Sequence, residues 1–139
     1  MKKQEIKDIV AGLVEECGSR NIYDILDYLN IKVIVTAIED TIFVRIRGEE
    51  IILLSDTEPE ELIPFALAHE VGHAVLHDVE MWYFEKLGIS KKCYEDEADY
   101  FAFKLLDKKI DKTLNYTIEE YAKELCVSEN TIKYVVGLE

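Results

Sequence analysis

The chain has three histidines, and all fall in the segment His69-Glu70-Val71-Gly72-His73-Ala74-Val75-Leu76-His77, at successive i, i+4 intervals. Residues four apart on an α-helix point the same way, with Cβ atoms about 6 Å apart, so two imidazoles so spaced can converge on one metal ion. Two such clamps exist, His69 with His73 and His73 with His77, and periodicity alone does not choose between them. The intervening residues do. Glu70 lies inside the first pair and can act as a base toward a water at the metal, whereas Ala74, Val75 and Leu76 offer no base. The reading is His69 and His73 as metal ligands and Glu70 as catalytic base, with His77 a cleft-wall or supporting group, or else a structural histidine.

The flanks, Phe65-Ala66-Leu67-Ala68 and Ala74-Val75-Leu76, are apolar nearly all round and mark a helix buried in the core. Burying two histidines and a glutamate without partners would cost several kcal/mol, which a divalent cation and its water would remove. Gly72 costs about 1 kcal/mol inside a helix, so a close approach by another element is expected there.

A catalytic zinc needs a third protein ligand and an open position. Glu95-Asp96-Glu97-Ala98-Asp99-Tyr100-Phe101-Ala102 offers Glu95 and Asp99 on one helical face. Glu95 can complete a His2Glu set, and Asp99 can accept the free ring N–H of a ligating histidine and fix its tautomer. Glu97 lies about 200° round the helix from Glu95 and is set aside. For an oxyanion helper, His77, Tyr83, Tyr94 and Tyr100 stand unranked.

Together, Phe65 to His77 with its His-Glu-x-Gly-His core, and Glu95-x-x-Ala98-Asp99-x-Phe101-Ala102, resemble the ImmA/IrrE metallopeptidases. The resemblance implies His69, His73 and Glu95 as zinc ligands, Glu70 as base and Asp99 as a supporting residue. It also implies a thermolysin-like pair of active-site helices and a helix-turn-helix transcriptional repressor of a mobile element or stress response as the protein substrate. The chain departs from the family pattern after Leu105-Leu106, where Asp107-Lys108 stand in place of Met-Pro.

These residues need a scaffold, and the pattern supplies an α+β one. Ile6, Ile9, Val10, Leu13, Val14 and Cys17 recur at helical spacing, and a second helix follows Gly18 through Ile22, Ile25, Leu26 and Leu29. Ile31 to Ile38, Thr41 to Arg47 and Glu50 to Ser55 are rich in Val, Ile and Thr and read as a three-stranded antiparallel meander. The ligand helix is expected from Pro64 to His77 and the acidic helix from Cys93 to Leu106. Between them, Trp82, Tyr83 and Phe84 form a core plug or line a cleft. Residues 113–139 read as a helix-turn-helix-like pair within a single domain spanning 1–139. Glu119, Glu120, Glu124 and Glu129 outnumber Lys123 and Lys133 there, which suits packing or repressor recognition better than docking on phosphates.

Composition narrows the rest. A chain of 139 residues with 49% hydrophobic content makes one domain with a real core. A net charge of -13 argues against direct nucleic-acid binding. No apolar run is long enough for a membrane span, and Cys17, Cys93 and Cys126 read as buried, reduced thiols of a cytoplasmic protein. The expected function is zinc-dependent cleavage of a protein held as an added strand along a sheet edge, Glu50 to Ser55 being the candidate. The alternative is a non-catalytic module of the same fold that sequesters a repressor.

Overall fold

The computed structural model describes residues 1–77 and 91–137. Trp82, Tyr83 and Phe84 lie outside them. Helix α1 (Lys3–Cys17) buries Ile6, Val10 and Leu13 and ends at Gly18, whose φ of 77° lets the chain turn. Helix α2 (Ile22–Leu29) begins where the Asn21 side chain accepts from the amides of Tyr23 and Asp24. Three strands follow, β1 (Ile31–Thr36), β2 (Ile42–Ile46) and β3 (Glu49–Ser55).

The sheet is not the antiparallel meander that the sequence suggests. Its order is β1-β3-β2, with β1 parallel to β3 and only β2 antiparallel to it. Strand periodicity reports which residues share a face, and it carries no information about which strands are neighbours. A β-hairpin through Arg47 and Gly48, both at positive φ (51° and 81°), joins β2 to β3. The link from β1 to β2 arches over the end of β3, where Ser55 fastens it. The Ser55 hydroxyl donates to the Ile38 carbonyl at 2.7 Å and its amide donates to Thr41 Oγ1 at 3.0 Å. A consequence is that Glu50 to Ser55 is the central strand and cannot be a docking edge. The edges are β1 and β2.

A 3-10 turn (Glu60–Leu62) leads into α3 (Ile63–Leu76), with Pro64 in its first turn, where its missing amide costs nothing. Helix α3 packs against β2, β3, α2 and, above all, α4 (Lys91–Leu105). The core lies between these elements and α1, around Ile6, Ile25, Ile52, Leu67, Val71, Phe101 and Leu105. Arg20 caps α4, its guanidinium donating to the carbonyls of Lys104 and Leu105. Helices α5 (Ile118–Leu125) and α6 (Glu129–Val136) close the described chain, α6 resting on α4. The three thiols are free but not buried: Cys17 and Cys126 are half-buried and Cys93 is exposed near the start of α4. Among the described residues, no helix is long and apolar enough to cross a membrane.

The close approach expected at Gly72 is present. A Cβ there would lie 3.1 Å from the Ala98 Cα, 3.2 Å from the Ala98 carbonyl oxygen and 3.2 Å from a Phe101 ring carbon. Two of those atoms are backbone of α4, so the helices themselves must part to admit a methyl group. Gly72→Ala gains about 1 kcal/mol of helix propensity and loses about 2 to 3 kcal/mol to overpacking. A net loss of about 1 to 2 kcal/mol is expected in urea denaturation; an unchanged or higher midpoint would show that α3 and α4 separate without cost.

Candidate metal centre

Helix α3 presents His69, Glu70 and His73 within little more than one turn, and α4 runs beside it at the Gly72 contact. That proximity sets Glu95 and Asp99, one turn apart on α4, opposite the histidines. The Glu95 carboxylate lies across both rings, Oε2 at 2.9 Å from His69 Nε2 and Oε1 at 3.2 Å from His73 Nε2. Asp99 accepts from His69 Nδ1 at 2.7 Å. With carboxylates on both of its nitrogens, which can only accept, the His69 ring carries two protons. Burial works against that charge, but the bonds to Asp99 and Glu95 outweigh it and raise the His69 pKa from 6.5 to about 10. Burial likewise works against ionised Glu95, yet its bonds from His69 and His73 hold its carboxyl well below the usual carboxylate range.

Glu70 is placed differently. It stands 3.8 Å from His69 Nε2, farther than Glu95, with the backbone amide of Phe43 on β2 favouring its ionised form. Burial is the main influence on it and pushes its pKa from 4.5 to about 7, with the two histidines pulling the other way. A cleft of about 490 Å³ opens over these groups, walled on one side by Ile42 and Phe43 of β2 and on the other by Phe65 and the histidines of α3.

Behind His73 stands His77, whose Nδ1 lies 2.9 Å from His73 Nδ1 and whose Nε2 lies 2.9 Å from Glu97 Oε1. His77 thus faces both His73 and Glu97 and is not among the described residues that line the cleft. Burial lowers its pKa, against the pull of Glu97. Glu97, set aside from its helical angle, is buried and also accepts from the Met1 amino group at 2.7 Å. The angle was right about α4, but the chain leaves α3 after Leu76 and carries His77 round to it. A third histidine in need of a partner was the only signal. Asn130 at the start of α6 was also missed; its amide donates to Asp96 Oδ1 and Asp99 Oδ2, both at 3.0 Å. This gives the C-terminal helix pair a packing role beside the centre. Of the oxyanion candidates, Tyr94 packs edge-on against His77, and Tyr100 packs against Tyr134, neither lining the cleft. Tyr83 lies outside the described residues.

The donor set fits a divalent cation of zinc's kind. His69, Glu70 and His73 offer ligand atoms within 4.8 Å of one another. Glu95 faces both Nε2 atoms, and the outer nitrogen of each histidine already has a hydrogen-bond partner, as ligating histidines require. A model of the IrrE N-terminal-like domain, a peptidase family, matches residues 26–136. None of the curated proteins matches the chain.

Without metal, the centre has a defined pH signature. His69 holds its proton in the fold up to about 10 against 6.5 unfolded, so its contribution is complete below 6.5 and lost as pH rises toward about 10. Glu70, raised from 4.5 to about 7, costs stability as pH rises through that interval. These two slopes have one sign, while His77, whose pKa burial lowers, opposes Glu70 below 6.5. Chelator-treated protein should lose stability as pH rises from about 6.5 to 10, read as falling urea midpoints; a flat or rising series would refute this electrostatic picture.

Proposed function

The chain belongs to the IrrE N-terminal-like family of peptidases, and from that premise we propose that it is a zinc-dependent endopeptidase with His69, His73 and Glu95 as ligands and Glu70 as general base. The observation that carries this reading is the Glu95 carboxylate spanning both Nε2 atoms while Glu70 stands apart on the β2 side. Two glutamates near one histidine pair thus divide the work by position.

Zinc, when bound, supplies a Lewis acid that lowers the pKa of water toward about 7 and polarises the scissile carbonyl. Glu70 takes the proton of the attacking water and delivers it to the leaving amine. A pKa of about 7 suits a group that must accept a proton and then release it. Asp99 keeps His69 in the Nδ1–H tautomer, leaving Nε2 toward the cleft. The Phe43 amide favours the ionised form of Glu70 from the other wall.

The substrate in this reading is an extended or locally unfolded segment added as a strand to β2, the edge that walls the cleft, rather than to β3. A flexible linker of a helix-turn-helix repressor of a mobile element or stress response is the proposed partner, acting in the cytoplasm with the thiols reduced. Family resemblance supports it, and so does charge. Asp40 and Glu58 join Glu70 and Glu95 around the cleft, and a chain of net charge -13 favours a basic protein over nucleic acid.

Elemental analysis of purified protein should find about one zinc per chain, lost in Glu95→Ala and retained in Glu70→Gln. Repressor cleavage by Glu70→Gln should fall by about 10²- to 10⁴-fold. Undiminished turnover in Glu70→Gln sinks the assigned base. Absence of zinc in the wild type, even after it is supplied, favours the sequestering module instead.

A further inference from the structure

The two histidines of α3 are held in unlike ways. His69 Nδ1 meets a carboxylate directly, that of Asp99 at 2.7 Å. His73 Nδ1 meets a third imidazole, His77, at 2.9 Å, and the far nitrogen of that imidazole meets Glu97 at 2.9 Å. His73, His77 and Glu97 are each about 5% exposed, so water does not compete for these bonds.

We propose that His77 and Glu97 are a positioning relay for His73, doing through two residues what Asp99 does for His69 in one. The proton assignments follow from the last member. An ionised carboxylate only accepts, so Glu97 takes the Nε2–H of His77. A neutral His77 then offers Nδ1 as an acceptor, and His73 must be the donor through its own Nδ1–H. With Nδ1 so occupied, Nε2, which donates to Glu95 in the metal-free fold, is the nitrogen that gives up its proton to bind a metal. The relay rests on the zinc reading above, and it assigns roles to two residues that touch neither metal nor substrate.

The fold explains why two residues are needed. Glu95 and Asp99 occupy the face of α4 turned to the histidines, and Glu97 lies about 200° round the helix. Its carboxylate cannot reach the cleft from there. The chain stops being helical at His77, where φ is -121° and ψ is 122°, and this swings the third imidazole out from α3 to the position between His73 and Glu97. Tyr94, edge-on to His77 with centroids 4.5 Å apart, holds the ring from the side.

A buried polar plug that merely stabilised the fold would make the same contacts, so the test must read the metal. Zinc affinity is measured by competition with a chromophoric chelator for wild type, His77→Phe, Glu97→Leu and Glu97→Gln, beside the urea stability of each metal-free protein. His77→Phe and Glu97→Leu should weaken zinc binding by about 10- to 100-fold, while Glu97→Gln, whose amide oxygen still accepts, keeps most of the affinity. Long-range ¹H–¹⁵N spectra of zinc-loaded wild type, which need no variant to fold, should show His73 as the Nδ1–H and His77 as the Nε2–H tautomer. Unchanged affinity in Glu97→Leu, or a His73 without a proton on Nδ1, overturns the relay while leaving the zinc site standing. A wild type that takes up no zinc overturns both readings.

Discussion

The centre depends on one contact, the backbone of α3 against the backbone of α4 where Gly72 meets Ala98. Ligands on a single helix can form only half of a site, because i, i+4 spacing aligns side chains on one face and leaves the opposite side open. The remaining donors must come from a second helix at a distance that a glutamate can span. A glycine on one helix and an alanine on the other set that distance, and the apolar residues around them, Val71 and Phe101 among others, hold it by burial. Polar chemistry here is positioned by hydrophobic packing.

Around that contact the negative charge exceeds what the site's own protons can balance easily. Glu70, Glu95, Asp96, Glu97 and Asp99 crowd onto three histidines, a lysine, an asparagine and an amino terminus. The fold answers with a doubly protonated His69 and a Glu70 that resists ionising. Such a balance is the one a cation would relieve, since it can replace the proton at Nε2 without disturbing the bond from Nδ1 to Asp99. The same groups therefore describe both the metal-free fold and its readiness for a metal.

The parts of this arrangement that were legible in the sequence are local. His69, His73, Glu95 and Asp99 could be read because helical spacing fixes which side chains share a face, and Gly72 because its propensity cost required an explanation. The helices themselves were legible for the same reason. What the sequence hid is relational. β1 and β3 pair in parallel although β2 stands between them in the chain, and Ser55 ties the arching link down at the far end of β3. Glu97 reaches a histidine only because α3 ends where it does. Asn130 is some thirty residues from Asp96 and Asp99, and no pattern near it announces that bond. The amide of Phe43 is a backbone group, and every residue but proline has one.

That amide has a further consequence. Phe43 lies on an edge strand, whose outward backbone groups are what an incoming strand would pair with, and its N–H favours the ionised form of Glu70. A peptide that paired through Phe43 would draw this donor away from the carboxylate. Losing it removes an interaction that favours the ionised form, so the carboxylate becomes the stronger proton acceptor. The outer edge of β2 and the Glu70 carboxylate thus share one backbone donor.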